Sequence, residues 1–148
     1  MTAAIKAQPD MAAGVGNGSS HAPGDSLGAV LKAASGRLVL AGIDSAHLDA
    51  RLLACSVLGW DQARIMARPE HPLTPAQDQN LEALVARREN REPLAYITGQ
   101  REFWGLDFTV NADTLIPRPE SETIIEAALQ TIPDRAAPLT VLDLGTGS

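Results

Sequence analysis

Cysteine is almost missing from this 148-residue chain. Cys55 stands alone, so no internal disulfide can form and no cluster of thiolates can hold a metal. A reducing, cytoplasmic setting is expected. His21, His47 and His71 lie far apart in unlike contexts and do not make a zinc site. Positive charge is also in short supply: 12 Lys and Arg against 18 Asp and Glu leave a formal net charge of -6. A general nucleic-acid binder needs a basic face to release counterions from phosphates, so that class is set aside. No apolar run approaches the roughly 20 residues of a membrane span. The first two dozen residues lack the basic start and apolar block of a secretory signal. Aromatic residues are scarce at 3%, and half or more fall in one place, described below.

Residues 1–24 show neither helical nor strand periodicity, and their glycines raise the entropic cost of ordering, so they are expected to form a disordered tail. From Asp25 the pattern becomes helical. Asp25 or Ser26 can cap a first helix, Leu27, Val30, Leu31, Ala34, Leu38 and Ala41 recur at helical spacing, and Gly42 stops it. A second helix follows Asp44 or Ser45, with Leu48, Leu52, Cys55 and Leu58 predicted on its buried face and Asp49 off it, and Gly59 closes it. A short helix is expected from about Asp61 to Ala67. Thr74, Pro75 and Gln77 then make a capping box with proline in the first helical position. Leu81, Leu84 and Val85 give that helix its buried face. Arg87, Arg88 and Arg91 near its end either complement the helix dipole or meet an anionic partner. Residues 25–92 thus read as a bundle of short antiparallel helices that binds or positions something, with no catalytic constellation of its own.

After Pro93 the periodicity shortens. Phe103, Leu106, Phe108 and Val110 surround Trp104-Gly105 with polar residues interleaved, which reads as a β-hairpin turning at the glycine. Both phenylalanines and one of the two tryptophans fall here. Leu115-Ile116-Pro117-Arg118-Pro119-Glu120-Ser121-Glu122 gives a stiff, extended entry into a helix from Glu120 to about Thr131. The run Leu139 to Leu144 reads as a buried parallel strand, and Gly145-Thr146-Gly147-Ser148 as the glycine turn after it. Taken alone, that turn fits a methyltransferase loop, a dinucleotide loop, the opening of a phosphate loop, or a tight turn without a ligand. Helix, linker, strand and glycine turn together open a doubly wound α/β domain.

Four phrases carry a resemblance: Arg-Glu-Pro-Leu-Ala-Tyr-Ile-Thr-Gly from Arg91, Arg-Glu-Phe-Trp-Gly-Leu from Arg101, the octet from Leu115, and Leu-Asp-Leu-Gly-Thr-Gly-Ser from Leu142. In this order they resemble the HemK/PrmC family of S-adenosylmethionine-dependent methyltransferases, which modify the glutamine in the Gly-Gly-Gln tip of peptide chain release factors. The resemblance implies an α plus α/β fold: a helical substrate-recognition domain over residues 25–92, a linker with a β-hairpin over 93–116, and over 117–148 the start of a class I, Rossmann-like methyltransferase domain cut off after its first strand. It implies S-adenosylmethionine as cofactor, with Gly145, Thr146, Gly147 and Ser148 in the loop around its methionine part and Asp143 at the end of the first strand. Ile116, Arg118 and Ser121 are the candidates for the pocket wall, serine replacing the threonine many members carry. Release factors are the implied partners, a cytoplasmic monomer the implied full-length state.

The family's substrate clamp, Asn-Pro-Pro-Tyr, would lie beyond Ser148, so the chain is expected to be either a fragment of the enzyme or part of its full sequence, with no catalytic residue and no turnover of its own. The competing readings are a class I methyltransferase acting on another target, a protein-binding helical module, and a phosphate-loop NTPase.

Overall fold

Thr74 sets the largest helix in motion. In the computed structural model, which describes residues 24–132, 134, 136 and 138–145, its hydroxyl accepts the Gln77 N–H while the Gln77 amide oxygen accepts the Thr74 N–H. This reciprocal cap, with Pro75 in the first helical position, starts α4 (Pro75–Glu89) where the sequence places it. Three helices precede it: α1 (Leu27–Leu40), α2 (Ala46–Leu58) and α3 (Gln62–Ala67). Gly42 and Gly59 adopt left-handed φ values of 71° and 64°, conformations glycine reaches without strain, just past the ends of α1 and α2. Asp61 caps α3, its carboxylate accepting the Arg64 N–H at 2.7 Å.

α1 departs from the expected cap. Ser26 occupies the N-cap position without a side-chain cap bond; the Leu27 and Gly28 amides donate to the carbonyls of His71 and Pro69, both at 2.8 Å. A neighbouring loop thus satisfies the orphan donors of the helix start. The buried face of α2 is also not the predicted one. Ala46, Ala50, Leu53 and Ala54 are buried, whereas Leu48 is exposed and Leu52, Cys55 and Leu58 are half-buried. The alanines let α1 and α4 approach closely, which a leucine at each position would prevent. Asp49 is buried with them because Arg88 of α4 donates to its carboxylate at 2.7 Å.

The core joins Leu27, Val30, Ala34 and Leu38 of α1 to this face of α2, to Ile65 of α3 and to Leu81 and Val85 of α4. Leu84, expected in the same stripe, is half-buried. On the outer side Arg37 clamps α1 to α4, donating to the Glu89 carboxylate at 2.7 and 2.5 Å and to Glu82. Those bonds, Glu89 foremost, raise the Arg37 pKa against the opposing effect of burial.

Pro93 begins a feature that the sequence reading leaves as linker: a five-residue helix, α5 (Leu94–Thr98), with Ile97 buried in the core. Gly99, at φ 73°, ends it and leads into β1 (Gln100–Phe103). β1 pairs antiparallel with β2 (Leu106–Thr109), Phe103 opposite Leu106 and Gln100 opposite Thr109. Trp104 and Gly105 form the two-residue turn, with φ 54° and 71°, the pattern of a type I′ hairpin. A turn of 3₁₀ helix over Pro119–Ser121 leads into α6 (Glu122–Thr131), so the α-helix expected from Glu120 begins two residues later, behind one tighter turn.

The run from Leu139 to Leu144 is neither a strand nor buried. It is irregular, and Val141, Leu142 and Leu144 are exposed. A strand is defined by its ladder, and no neighbour among the described residues supplies one; a helix needs no such partner. The expected tail lies, apart from Gly24, outside the described residues.

Candidate functional site

The stiff octet makes one wall of a cleft. Upstream of it, the Asn111 and Thr114 pair closes a tight turn: the Thr114 hydroxyl accepts the Asn111 N–H and donates to the Asn111 carbonyl, both at 2.9 Å, while the Asn111 side-chain oxygen accepts the Asp113 N–H. Tyr96 of α5 reaches across to this turn, its hydroxyl donating to the Thr114 carbonyl at 2.6 Å. The chain therefore leaves the turn in a fixed direction, and the two prolines hold 115–118 extended.

Tyr96, Arg101 of β1 and residues 115–119 enclose a cleft of about 370 Å³. Two guanidiniums line it, those of Arg101 and Arg118, and none of the seven lining residues is acidic. The Arg101 Nε is enclosed yet makes no hydrogen bond. A buried donor without an acceptor is costly, and the guanidinium that carries it lines the cleft, where it can meet an incoming carbonyl or carboxylate oxygen. The apolar parts of Leu115, Ile116 and the prolines give the cleft a body against which an uncharged group can pack.

The hairpin tip is tied to the helix that follows the cleft. Trp104 N–H donates to a Glu122 carboxylate oxygen at 3.0 Å, and Gly105 N–H to Glu102 at 2.6 Å. At the hairpin's base, Val110 N–H donates to the Gly99 carbonyl and Val110 is buried. The Phe103 and Phe108 rings meet edge-on at 6.3 Å. The octet is thus tied at both of its ends, through Tyr96 to the preceding Thr114 and through Glu122 to the hairpin tip.

Of the residues selected from the sequence, Ile116 and Arg118 come together in the cleft. Ser121 sits three residues beyond Arg118, its N–H donating to the Arg118 carbonyl at 3.0 Å, and does not line it. Asp143 and Gly145 lie exposed in the irregular C-terminal segment and do not line it either. Thr146, Gly147 and Ser148 fall outside the described residues. Tyr96 and Arg101 carry no spacing signal that points to a site; each belongs to a quoted phrase, but its proximity to the octet is a tertiary fact.

The arginines at the end of α4 are not available to an outside anion in the way the sequence allows. Arg88 holds Asp49 and the Glu92 carbonyl, Arg87 holds Glu92 at 2.8 and 2.5 Å, and Arg91 donates to the Ala41 carbonyl at the end of α1. They join helices. The Cys55 thiol, half-buried against the core, has its pKa raised by desolvation first and by Asp61 second, which disfavours the thiolate. Chemically the cleft can bind and orient; its Tyr96 hydroxyl is engaged, and it holds no acid-base pair.

No helix among the described residues is long and apolar enough to cross a membrane. Residues 29–99 match the family described as PrmC N-terminal domain. The chain is 44% identical over 122 residues to a protein of Rhodospirillum rubrum named release factor glutamine methyltransferase, covering 82% of this chain and 37% of the relative. Proteins of the same name from Burkholderia pseudomallei and Nitratidesulfovibrio vulgaris are 50% identical over 101 residues and 43% over 129, covering 68% and 87% of this chain and 35% and 42% of theirs. The chain thus spans well under half the length of these curated relatives.

Proposed function

The chain belongs to the HemK/PrmC family, and from that premise we propose that the protein of which it forms the N-terminal part methylates the glutamine side-chain amide in the Gly-Gly-Gln motif of peptide chain release factors, using S-adenosylmethionine. The observation that carries this reading is identity of 43 to 50% to relatives of that name over 101 to 129 residues of the chain. In this reading residues 25–92 recognise the protein substrate, 93–116 connect, and 117–148 open a class I, Rossmann-like methyltransferase domain. Residues 139–144 become its first strand once a neighbouring strand pairs with them.

Two features support the cofactor reading. Gly145 already has the left-handed backbone, φ 80°, that a turn around a ligand requires, and a Cβ there would meet nothing within 4 Å. The cleft supplies an unpartnered guanidinium Nε beside apolar walls. In this reading Asp143, Gly145, Thr146, Gly147 and Ser148 hold the cofactor, and Ile116, Arg118 and Ser121 belong to the segment that approaches it, although only Ile116 and Arg118 of these line the cleft. S-adenosylmethionine supplies an electrophilic methyl group on a sulfonium. The work of this chain's residues is positional. An amide nitrogen is a poor nucleophile because its lone pair is delocalised, so rate must come from orientation and exclusion of water, and the rigid corner at Pro117 and Pro119 keeps the wall from yielding. The enzyme acts in the cytoplasm as a monomer.

Calorimetric titration of the full-length protein with S-adenosylmethionine, followed by mass spectrometry of a release factor incubated with both, tests the reading. Binding and a methyl increment on the Gly-Gly-Gln glutamine are expected. Absence of cofactor binding would overturn it, as would methylation confined to another side chain.

A further inference from the structure

A second groove lies on the helical side of the molecule, away from the cleft. It runs between α1, α2 and α3 and measures about 290 Å³. Its floor is apolar: Leu31, Ile65 and the side chain of Met66, which is otherwise exposed. Its rim carries Lys32, His47 and Arg51, and none of the nine lining residues is acidic, on a chain whose net charge is -6.

Arg51 is under-used. Its Nε is enclosed and has no hydrogen-bond partner among the described residues, and its Nη1 donates to the Met66 sulfur at 3.9 Å, a weak acceptor. Two other arginines of the helical region behave differently: Arg37 donates to the carboxylates of Glu89 and Glu82, and Arg88 to the Asp49 carboxylate and the Glu92 carbonyl. An oxygen acceptor entering the groove would relieve Arg51 and face Lys32 at the same time.

We propose that this groove docks a segment of the protein substrate in which a carboxylate sits next to an apolar side chain, the carboxylate meeting Arg51 and Lys32 and the apolar group covering Met66. The volume suits one or two side chains and is small for a folded nucleic-acid element, and the apolar floor is wasted on a bare anion. Charge complementarity selects the occupant. The inference rests on the proposed methyltransferase activity: the groove adds affinity for the whole substrate protein and leaves the methyl transfer itself alone.

The test compares two substrates of the full-length enzyme, an intact release factor and a short peptide carrying Gly-Gly-Gln. Lys32→Glu and Met66→Asp, both at exposed side chains, should raise KM for the intact protein about tenfold, with kcat and the affinity for S-adenosylmethionine unchanged. Kinetics on the short peptide should not move. Lys32→Gln should give a smaller rise, and added salt should narrow the gap between Lys32→Glu and the native enzyme. KM for the intact protein within twofold of native in both variants would overturn the proposal. So would an equal loss on both substrates, or a rise that appears only when RNA is present. If the native enzyme methylates neither substrate, the activity itself has been misread; if it methylates both and the variants behave as native, only the groove has.

Discussion

The helices of residues 27–98 and the segment from Leu115 to Gly145 obey different rules. The first region closes on itself: Leu53 is 0% exposed, and even its buried charge, Asp49, meets a guanidinium from another helix. The second region leaves many of its described apolar residues bare and none buried. Ile124 of α6 is 69% exposed, α6 buries no residue, and Leu142 is 78% exposed. Composition does not explain this, since both stretches are rich in leucine and isoleucine. The difference lies in what each needs from elsewhere. A helix completes its backbone hydrogen bonds within itself and asks only for a surface to pack against. A parallel strand asks for a neighbour on each edge and a layer on each face.

The largest effect that sharpens this contrast is a paired truncation. Leu53→Ala should lower the unfolding free energy by about 3 kcal/mol, because it removes buried atoms and leaves a cavity between helices. Ile124→Ala in the same 148-residue chain should cost less than about 0.5 kcal/mol, as for exposed substitutions generally. Urea denaturation of both variants reads the difference directly. Equal costs would mean that α6 has a covering surface after all and that the contrast drawn here is false.

Much of the first region was legible because its signals are local. Thr74, Pro75 and Gln77 act on one another within a single turn, and Gly59 has one job at one position. The face of α2 was not legible for the opposite reason. Ranking by hydrophobicity favours Leu48 and Leu52 over Ala46 and Ala50, but the approach of α1 rewards small side chains, and Asp49 looks like a surface residue until Arg88, 39 positions away, is known to lie beside it. α5 is too short for a period to emerge. The cleft was half legible: Ile116 and Arg118 stood out through the two prolines, whereas Tyr96 and Arg101 join them only through tertiary contacts.

A middle-sized effect tests the hairpin between the two regions. Trp104 holds a left-handed φ of 54°, at a turn position where asparagine is at home and a bulky side chain is strained. Trp104→Asn should therefore steady the hairpin by about 1 kcal/mol. Slower amide exchange across residues 100–109 would show it. Faster exchange would mean that the indole, half-covered as it is, holds the hairpin down by more than its backbone strain costs.

The smallest effect asks whether an ion pair at the edge of the closed region matters to its closure. Glu92 accepts from Arg87 through both carboxylate oxygens, and this bond, ahead of the opposing desolvation, holds its pKa below the ordinary glutamate value. A lowered folded-state pKa means that the unfolded chain binds protons more readily, so the contribution of the pair is present above the unfolded pKa, about 4.3, and fades as pH falls through the folded one. Both side chains are a third or more exposed, so solvent screening limits the gain to less than about 1 kcal/mol. Glu92→Gln should accordingly lose a few tenths of that at neutral pH, and urea midpoints of variant and native chains should converge as the pH drops below about 4. Were the gap instead to persist into acid, it would have to come from how the side chain packs rather than from its charge, since the Glu92 main-chain carbonyl that accepts from Arg88 at 3.0 Å is the same in both chains. The edge would then be continuous with the core, and closure of the helical region would extend to the last residue before Pro93.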